Sequence, residues 1–376
     1  MMINVVIAVP PRLASHGRPA RLRRRWFLSA AAILLLLAQG CAAVDGATPG
    51  VYVASDSLGA PGWIGGPAGE PVWSPDGASL AWGSEDGLWT SSRTTPNPVV
   101  LAPFPIAGRP AWSPDGKTLA VIDGSRSALA VIDASAGDTV VSIPLRTQDA
   151  RFAPPANPTL GGPAWSPDGA RIAFVCWDGA GDEICVANAD GTGQRQVTRI
   201  EPTDGSIVPR EGVFAAAPSN TGPPSWSPDG LQLAVAAYPE RRGAAAGVFV
   251  VDLERGSARR ISPLVPNSEI RWSGDGESLV FSASEKGRSD VRRAWLDGSP
   301  VENLTTALPN GARDPALASD GSRLAVSSSG TIVVLDDQDV VTVSASSGLW
   351  QRFPAWNPSG NDLAFVADAN PIATYS

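Results

Sequence analysis

The chain is 376 residues long, with 13 tryptophans against three tyrosines, three cysteines and a formal net charge of −8. Its one histidine, His16, lies close to the start, so the rest of the chain holds no Ser-His-Asp or Cys-His catalytic arrangement and no zinc site with histidine ligands. No G-x-S-x-G nucleophile motif occurs, and the acid excess argues against a nucleic-acid partner.

Residues 1–40 differ from everything after them. They carry six arginines and no acid, followed by an apolar run from Phe27 to Ala38. That run is too short to span a bilayer and fits the apolar region of an export signal. The next stretch, Leu37-Ala38-Gln39-Gly40-Cys41, resembles a bacterial lipoprotein processing site, with Ala38 standing where leucine is usual. The resemblance implies a lipid on Cys41. Arg24-Arg25-Trp26-Phe27-Leu28 also resembles the core of a twin-arginine signal, and an ordinary basic leader accounts for it equally. Both readings make the protein exported, to the periplasm or the outer face of the cell membrane. Removing the leader takes the net charge from −8 to −14, so membrane association is expected from a lipid anchor and not from a basic patch. The expected organisation is a signal peptide over 1–40, a tether over 41–50 and one domain over 51–376.

A repeat runs through that domain. Pro163-Ala164-Trp165-Ser166-Pro167-Asp168-Gly169 recurs as P-x-W-S-P-D-G from Pro71, Pro110 and Pro224, and in weaker form from Ile270, Pro315 and Pro354. The third position falls at 73, 112, 165, 226, 272, 317 and 356, a period that fits one four-stranded propeller blade per copy. Within a copy, proline at the second turn position fixes φ near −65°. Serine and aspartate favour local hydrogen bonds, and glycine accepts a positive φ. Each S-P-D-G is therefore a tight hairpin between the first two strands, and the tryptophan before it fills the gap between blades. The last copy supplies two clear strands, while Val51-Tyr52-Val53 and the stretch from Gly59 to Ile64 offer the missing two. The expected fold is all-β: a single propeller of seven blades closed by strands from both termini, which leaves no exposed sheet edge at the seam. Six blades, with the Leu317 copy degenerate, is the alternative.

The repeat resembles the TolB-type β-propeller family, whose pattern P-x-W-S-P-D-G-x-x-I-A-F followed by I-Y-V-x-D-x-x-G is matched from Pro163 to Phe174 and from Ile184 to Gly191. The resemblance implies the fold and little about function, because such propellers serve many exported proteins. TolB-type proteins place an α/β domain before the propeller, where this chain has its short tether. The repeat is also similar to the propeller of prolyl-oligopeptidase-type enzymes, but the missing histidine and nucleophile motif argue against an attached hydrolase.

Chemistry is sought where the repeats are interrupted. The turn aspartates, Asp76, Asp115, Asp168, Asp229, Asp275 and Asp320, each belong to a different blade and read as hairpin formers, not as a metal site. Asp178, Asp182 and Glu183 read as a solvated acidic loop. Alternating strand direction puts the S-P-D-G turns on one face and the second-to-third loops and blade connections on the other. The two long connections, residues 147–162 and 199–222, therefore share a face with Trp177, Tyr238, Arg241 and Arg242. Glu70, Arg109, Glu269, Asp314 and Phe353 should edge the central channel there. Cys176 and Cys185, on consecutive strands, read either as a disulfide or as two buried thiols. The functional expectation is a non-enzymatic, lipid-anchored propeller that binds an envelope protein or cell-wall component through this face, without a cofactor. The alternatives are a carbohydrate- or peptide-binding module and a carboxylate-dependent glycosidase or lyase.

Overall fold

The computed structural model describes residues 48–55, 61–125, 128–145, 161–177, 182–198, 224–237, 246–336, 340–343 and 349–369. The leader, Cys41, Tyr238, Arg241, Arg242, Asp178 and nearly all of both long connections lie outside these residues.

The chain opens with β1 (Gly50–Ser55) and β2 (Gly62–Gly65). Blade 1 is β3 (Val72–Trp73), β4 (Ser79–Gly83), β5 (Leu88–Ser92) and β6 (Val99–Ala102); blade 2 is β7 (Ile106–Trp112), β8 (Thr118–Asp123), β9 (Ala128–Asp133) and β10 (Thr139–Pro144). Blade 3 is β11 (Ala164–Trp165), β12 (Arg171–Trp177), β13 (Asp182–Asn188) and β14 (Arg195–Gln196); blade 4 is β15 (Ser225–Trp226), β16 (Gln232–Ala237), β17 (Gly247–Asp252) and β18 (Ser257–Ser262). Blade 5 is β19 (Arg271–Trp272), β20 (Ser278–Glu285), β21 (Arg288–Trp295) and β22 (Glu302–Asn303); blade 6 is β23 (Arg313–Leu317), β24 (Leu324–Ser328), β25 (Thr331–Leu335) and β26 (Val340–Val343). Blade 7 joins β27 (Trp350–Trp356) and β28 (Asp362–Asp368) to β1 and β2, in the order β2-β1-β28-β27. Seven four-stranded antiparallel sheets in a ring make a seven-bladed β-propeller closed by strands from both ends of the described chain. Leu317 does mark a blade, which removes the six-bladed alternative.

The turn chemistry explains why each copy folds alike. In blade 3 the Ser166 hydroxyl donates to Asp168 Oδ1 at 2.5 Å, Asp168 accepts the amide of Ala170 at 3.0 Å, and the Gly169 amide closes the turn on the Ser166 carbonyl at 2.9 Å. Gly169 sits at φ 70°, a left-handed value that costs glycine nothing. The Ser166 hydroxyl and the Ala170 amide both hold the Asp168 carboxyl below its ordinary pKa. Blade 7 replaces serine and aspartate with Asn357 and Ser359. Asn357 Oδ1 then accepts from Ser359, while its Nδ2 donates across the seam to the Gly77 carbonyl at 3.1 Å.

Tryptophans stitch neighbouring blades. The indole N–H of Trp73, Trp112, Trp165, Trp226, Trp272 and Trp356 each donates to the carbonyl before the equivalent residue of the preceding blade, at 2.9–3.3 Å. The Trp73 bond, to Ala355, closes the circle. The Leu317 side chain has no N–H to give, so the blade 5–6 seam lacks this bond. Elsewhere an arginine reinforces the seam. Arg171 lies 4.8 Å over the Trp226 ring and donates to the Gly230 carbonyl, and Arg323 lies 4.5 Å over Trp356 and donates to that of Gly360.

The buried core is the second and third strands of each blade: Leu119–Ile122, Ile172–Phe174 and Leu279–Phe281 all contain fully buried apolar residues. Cys176 and Cys185 are buried there and form a disulfide with Cα atoms 5.7 Å apart. They are not directly opposite. The register pairs Cys176 with Glu183 and Phe174 with Cys185, so the bridge runs diagonally across one face of the hairpin. Glu183, read from sequence as part of a solvated loop, lies in β13 and is buried.

Candidate functional site at the channel mouth

The inner strands β3, β7, β11, β15, β19, β23 and β27 surround the axis. Each runs toward its S-P-D-G-type turn, and the turns meet one another: Gly116 lies against Pro75, Gly169 against Pro114, Gly230 against Pro167 and Gly276 against Pro228. That face is a closed ring of self-satisfied hairpins. Glu70, Arg109, Gly162, Glu269, Asp314 and Phe353, each three residues before its marker position, lie at the opposite mouth with the described second-to-third hairpins.

Two groups of the expected mouth residues come together. Arg109 leads into Trp112 of blade 2 and Glu269 into Trp272 of blade 5, so the two start on opposite sides of the ring. Arg109 Nη1 nevertheless donates to Glu269 Oε2 at 2.5 Å, and its Nη2 reaches the Pro71 carbonyl of blade 1 at 3.4 Å. Arg271 Nη2 pairs with the same Glu269 oxygen. An ion bridge therefore crosses the channel. Burial pushes the Glu269 carboxyl up, but Arg109 and Arg271 outweigh it and hold the group below its ordinary range. Burial likewise draws the Arg271 guanidinium down, offset by Glu269 and, more weakly, by Glu70.

The second group spans blades 6 and 7. Asp314 and Phe353 occupy equivalent places in consecutive inner strands, and both have left-handed backbone, at φ 51° and 54°. Each lies in a β-bulge, where the register slips between Arg313 and Ala316 and between Arg352 and Ala355. Burial pushes the Asp314 carboxyl up, with Ser327, Arg352, Arg313 and the Phe353 amide pulling back. Arg352 also lies 5.3 Å over the Phe353 ring and 3.8 Å from Asp368.

Trp177 ends β12 at this same face, half-buried, its amide donating to the Leu145 carbonyl at 2.6 Å; it joins neither group. Gly162 stands in blade 3 where Arg109 stands in blade 2, and a Cβ there would fall 2.1 Å from the Arg109 carbonyl, so a side chain is excluded. Arg271 is the residue sequence reasoning missed. Its signal was available: at the position before the marker tryptophan the other copies carry Val72, Ala111, Ala164, Ser225, Ala316 and Ala355, all small or uncharged. Among the described residues no cluster of histidine, cysteine, aspartate and glutamate is arranged to hold a metal ion. The Nε atoms of Arg109, Arg271 and Arg352 are buried and meet no protein acceptor among the described residues.

Comparison with known proteins agrees with this architecture. The family model described as the TolB beta propeller domain matches residues 207–372. The uncharacterized peptidase YuxL of Bacillus subtilis (strain 168) is 29% identical over 123 residues, which is 32% of this chain but 17% of that protein's length. Among solved structures, oligogalacturonate lyase from Vibrio parahaemolyticus aligns with a TM-score of 0.57 at 10% identity, covering 87% of this chain and all of that one. Kuenenia stuttgartiensis hydrazine synthase aligns with the same TM-score at 15% identity, covering 80% of this chain and 92% of that one. At such identities the likeness to these structures is one of fold. The chain is a seven-bladed β-propeller that, over residues 207–372, is matched by the model of the TolB beta propeller domain.

Proposed function

We propose that this protein is an exported, lipid-anchored propeller that binds a protein partner or cell-wall component through the channel mouth and the long connections around it, without catalysing a reaction. The observation that carries the reading is the cross-channel network. Arg109, Glu269 and Arg271 bridge the channel mouth with ion pairs, and the Arg271 side chain stays partly exposed beside them. A mouth of fixed guanidinium donors recognises carbonyl and carboxylate groups through charge-assisted hydrogen bonds. In the blade 3 turn of the opposite face the serine, aspartate and glycine bond to one another. Export and the anchor rest on the leader and on Cys41.

The test is site-specific photo-cross-linking in cells, with the reactive residue at position 177 or 286 on the mouth face and at position 117 or 190 on the turn face. Reproducible partners are expected from the first pair. Partners captured through the turn face alone would overturn the assignment. A thermal-shift screen against glycans and peptides separates small-ligand binding from protein scaffolding, since a ligand of the native state raises the melting temperature.

A further inference from the structure

The end of blade 7 reveals which way the propeller faces. β27 runs from the mouth to the turn at Asn357, β28 runs back, and β1 is antiparallel to β28 with Gly50 beside Ala367. The chain therefore enters β1 from the mouth face. From Cys41 to Gly50 is nine residues, a stretch that reaches at most about 30 Å. The strands themselves make the propeller about 20 Å tall, since each residue of a strand rises ~3.3 Å. An acyl chain on Cys41 thus reaches a bilayer lying beneath the mouth more easily than one beneath the turns.

Two tryptophans flank that entry point. Trp350, 42% exposed, is the first residue of β27, pairs with Asp368 and covers Gly330 of the blade 6 hairpin. Trp63, 51% exposed, pairs with Tyr52, and its indole nitrogen lies directly against Gly50, where a Cβ would be 2.7 Å away. Pro98 packs on Gly65 beside it. Exposed indoles with a polar N–H belong at the headgroup level of a bilayer. The acidic protein disfavours an anionic surface, and Arg352 beside Trp350 is neutralised by Asp368.

We infer that the blade 7 end of the mouth face rests on a net-neutral lipid surface, with Trp63 and Trp350 in the headgroup layer, so that the channel mouth opens toward the membrane. This rests on the reading of Cys41 as a lipid anchor, and it narrows the partner to one embedded in or emerging from the same membrane.

The chain carries its own markers for the test. Its two lysines lie on opposite faces: Lys117 follows the blade 2 turn, and Lys286 is in the β20–β21 hairpin at the mouth face. With Cys176 and Cys185 in a disulfide and Cys41 lipidated, Lys117→Cys or Lys286→Cys supplies the single free thiol for a fluorophore. The full chain, produced in a bacterial envelope and purified as the lipoprotein, is placed on phosphatidylcholine vesicles bearing headgroup acceptors. Energy transfer at least about twofold stronger from position 286 than from 117 is expected, and Trp63→Ser with Trp350→Ser should collapse the difference while the protein stays bound. Equal or reversed transfer overturns the orientation. A difference that survives the double substitution overturns the role of the indoles. A protein whose Cys41 carries no lipid by mass, and which fails to float with vesicles, overturns the anchor and the inference with it.

Discussion

The ion bridge across the channel makes a quantitative prediction. Glu269 is shared by two arginines, Arg109 and Arg271, so truncating it and truncating Arg109 should not cost the same. Glu269→Ala leaves Arg109 and Arg271 close together with only the weaker influence of Glu70 on Arg271 to offset them. Removing one partner of a fully buried pair costs about 3–5 kcal/mol. Here the side chains of Arg109 and Glu269 retain 16% and 17% exposure, so about 2–4 kcal/mol is expected. Arg109→Ala leaves Glu269 still paired with Arg271 and should cost about 1–2 kcal/mol. The double variant should fall short of the sum, with a coupling of about 1–3 kcal/mol. Equilibrium urea unfolding, followed by fluorescence and by circular dichroism to establish coincidence, gives all four corners of the cycle. Because the pair is mostly buried, the coupling should persist in 1 M salt, where exposed pairs such as Lys117–Asp115 contribute nothing measurable. Additivity within about 0.3 kcal/mol, or an Arg109→Ala cost exceeding that of Glu269→Ala, would refute a bridge spanning blades 2 and 5.

Asp314 behaves in the opposite sense to the turn aspartates. Its folded-state pKa is raised by burial, so the native state loses stability as pH rises through that value. Asp314→Asn should therefore raise the melting temperature at pH 7 and make no difference below about pH 4, while Asp314→Ala should cost about 1–2 kcal/mol because alanine tolerates φ 51° poorly. The turn aspartates Asp76, Asp115, Asp168 and Asp229 have depressed folded pKa values, chiefly from their serine hydroxyls. Their contribution is present above the unfolded value near 4 and lost as pH falls through the folded ones, so in an Asp314→Asn background denaturant midpoints should be flat above about pH 5 and drop below pH 4; a midpoint in that background that begins to fall on acidification well above pH 5 would contradict this. Trp226→Phe removes the bond to Ala164 and weakens the Arg171 stack, at a cost of about 2 kcal/mol; a loss below about 0.5 kcal/mol would mean that the seam does not depend on the indole. Reduction of Cys176–Cys185, or replacement of both by serine, should cost about 2–3 kcal/mol from the short loop alone, read as a shifted melting temperature with and without reductant.

The parts of this molecule that sequence reveals are those whose physics is local. A serine, proline, aspartate and glycine in order specify one hairpin whatever surrounds them, and seven recurrences count the blades even when Leu317 replaces the tryptophan. The strand at Val51–Val53 was recognisable as the missing piece of blade 7 because an open ring would leave a free edge. The channel network was only half legible. Position in the repeat placed Glu70, Arg109, Glu269, Asp314 and Phe353 at the mouth, but Arg109 and Glu269 are 160 residues apart, and nothing short of ring closure brings them together. Arg271 was hidden because it sits inside a weak copy of the motif. The diagonal offset of the disulfide depends on register, which the spacing of two cysteines does not fix.

A ring of repeats constrains where binding capacity can survive. Each S-P-D-G turn consumes its own donors and acceptors, and each marker tryptophan consumes a carbonyl of the blade before it, so fidelity to the repeat leaves little for a ligand. Capacity appears where a copy departs from the pattern. Arg271 occupies a place kept for small residues, Asp314 and Phe353 accept left-handed backbone in bulged strands, and Leu317 breaks the circle of indole bonds between those two groups. Blades 5, 6 and 7, which carry the weakest motifs, therefore supply most of the charged mouth, while blades 2 to 4 supply the rigid arc that holds it. Left-handed backbone at a non-glycine residue costs of order 1–2 kcal/mol, and the chain bears that cost at two adjacent mouth positions.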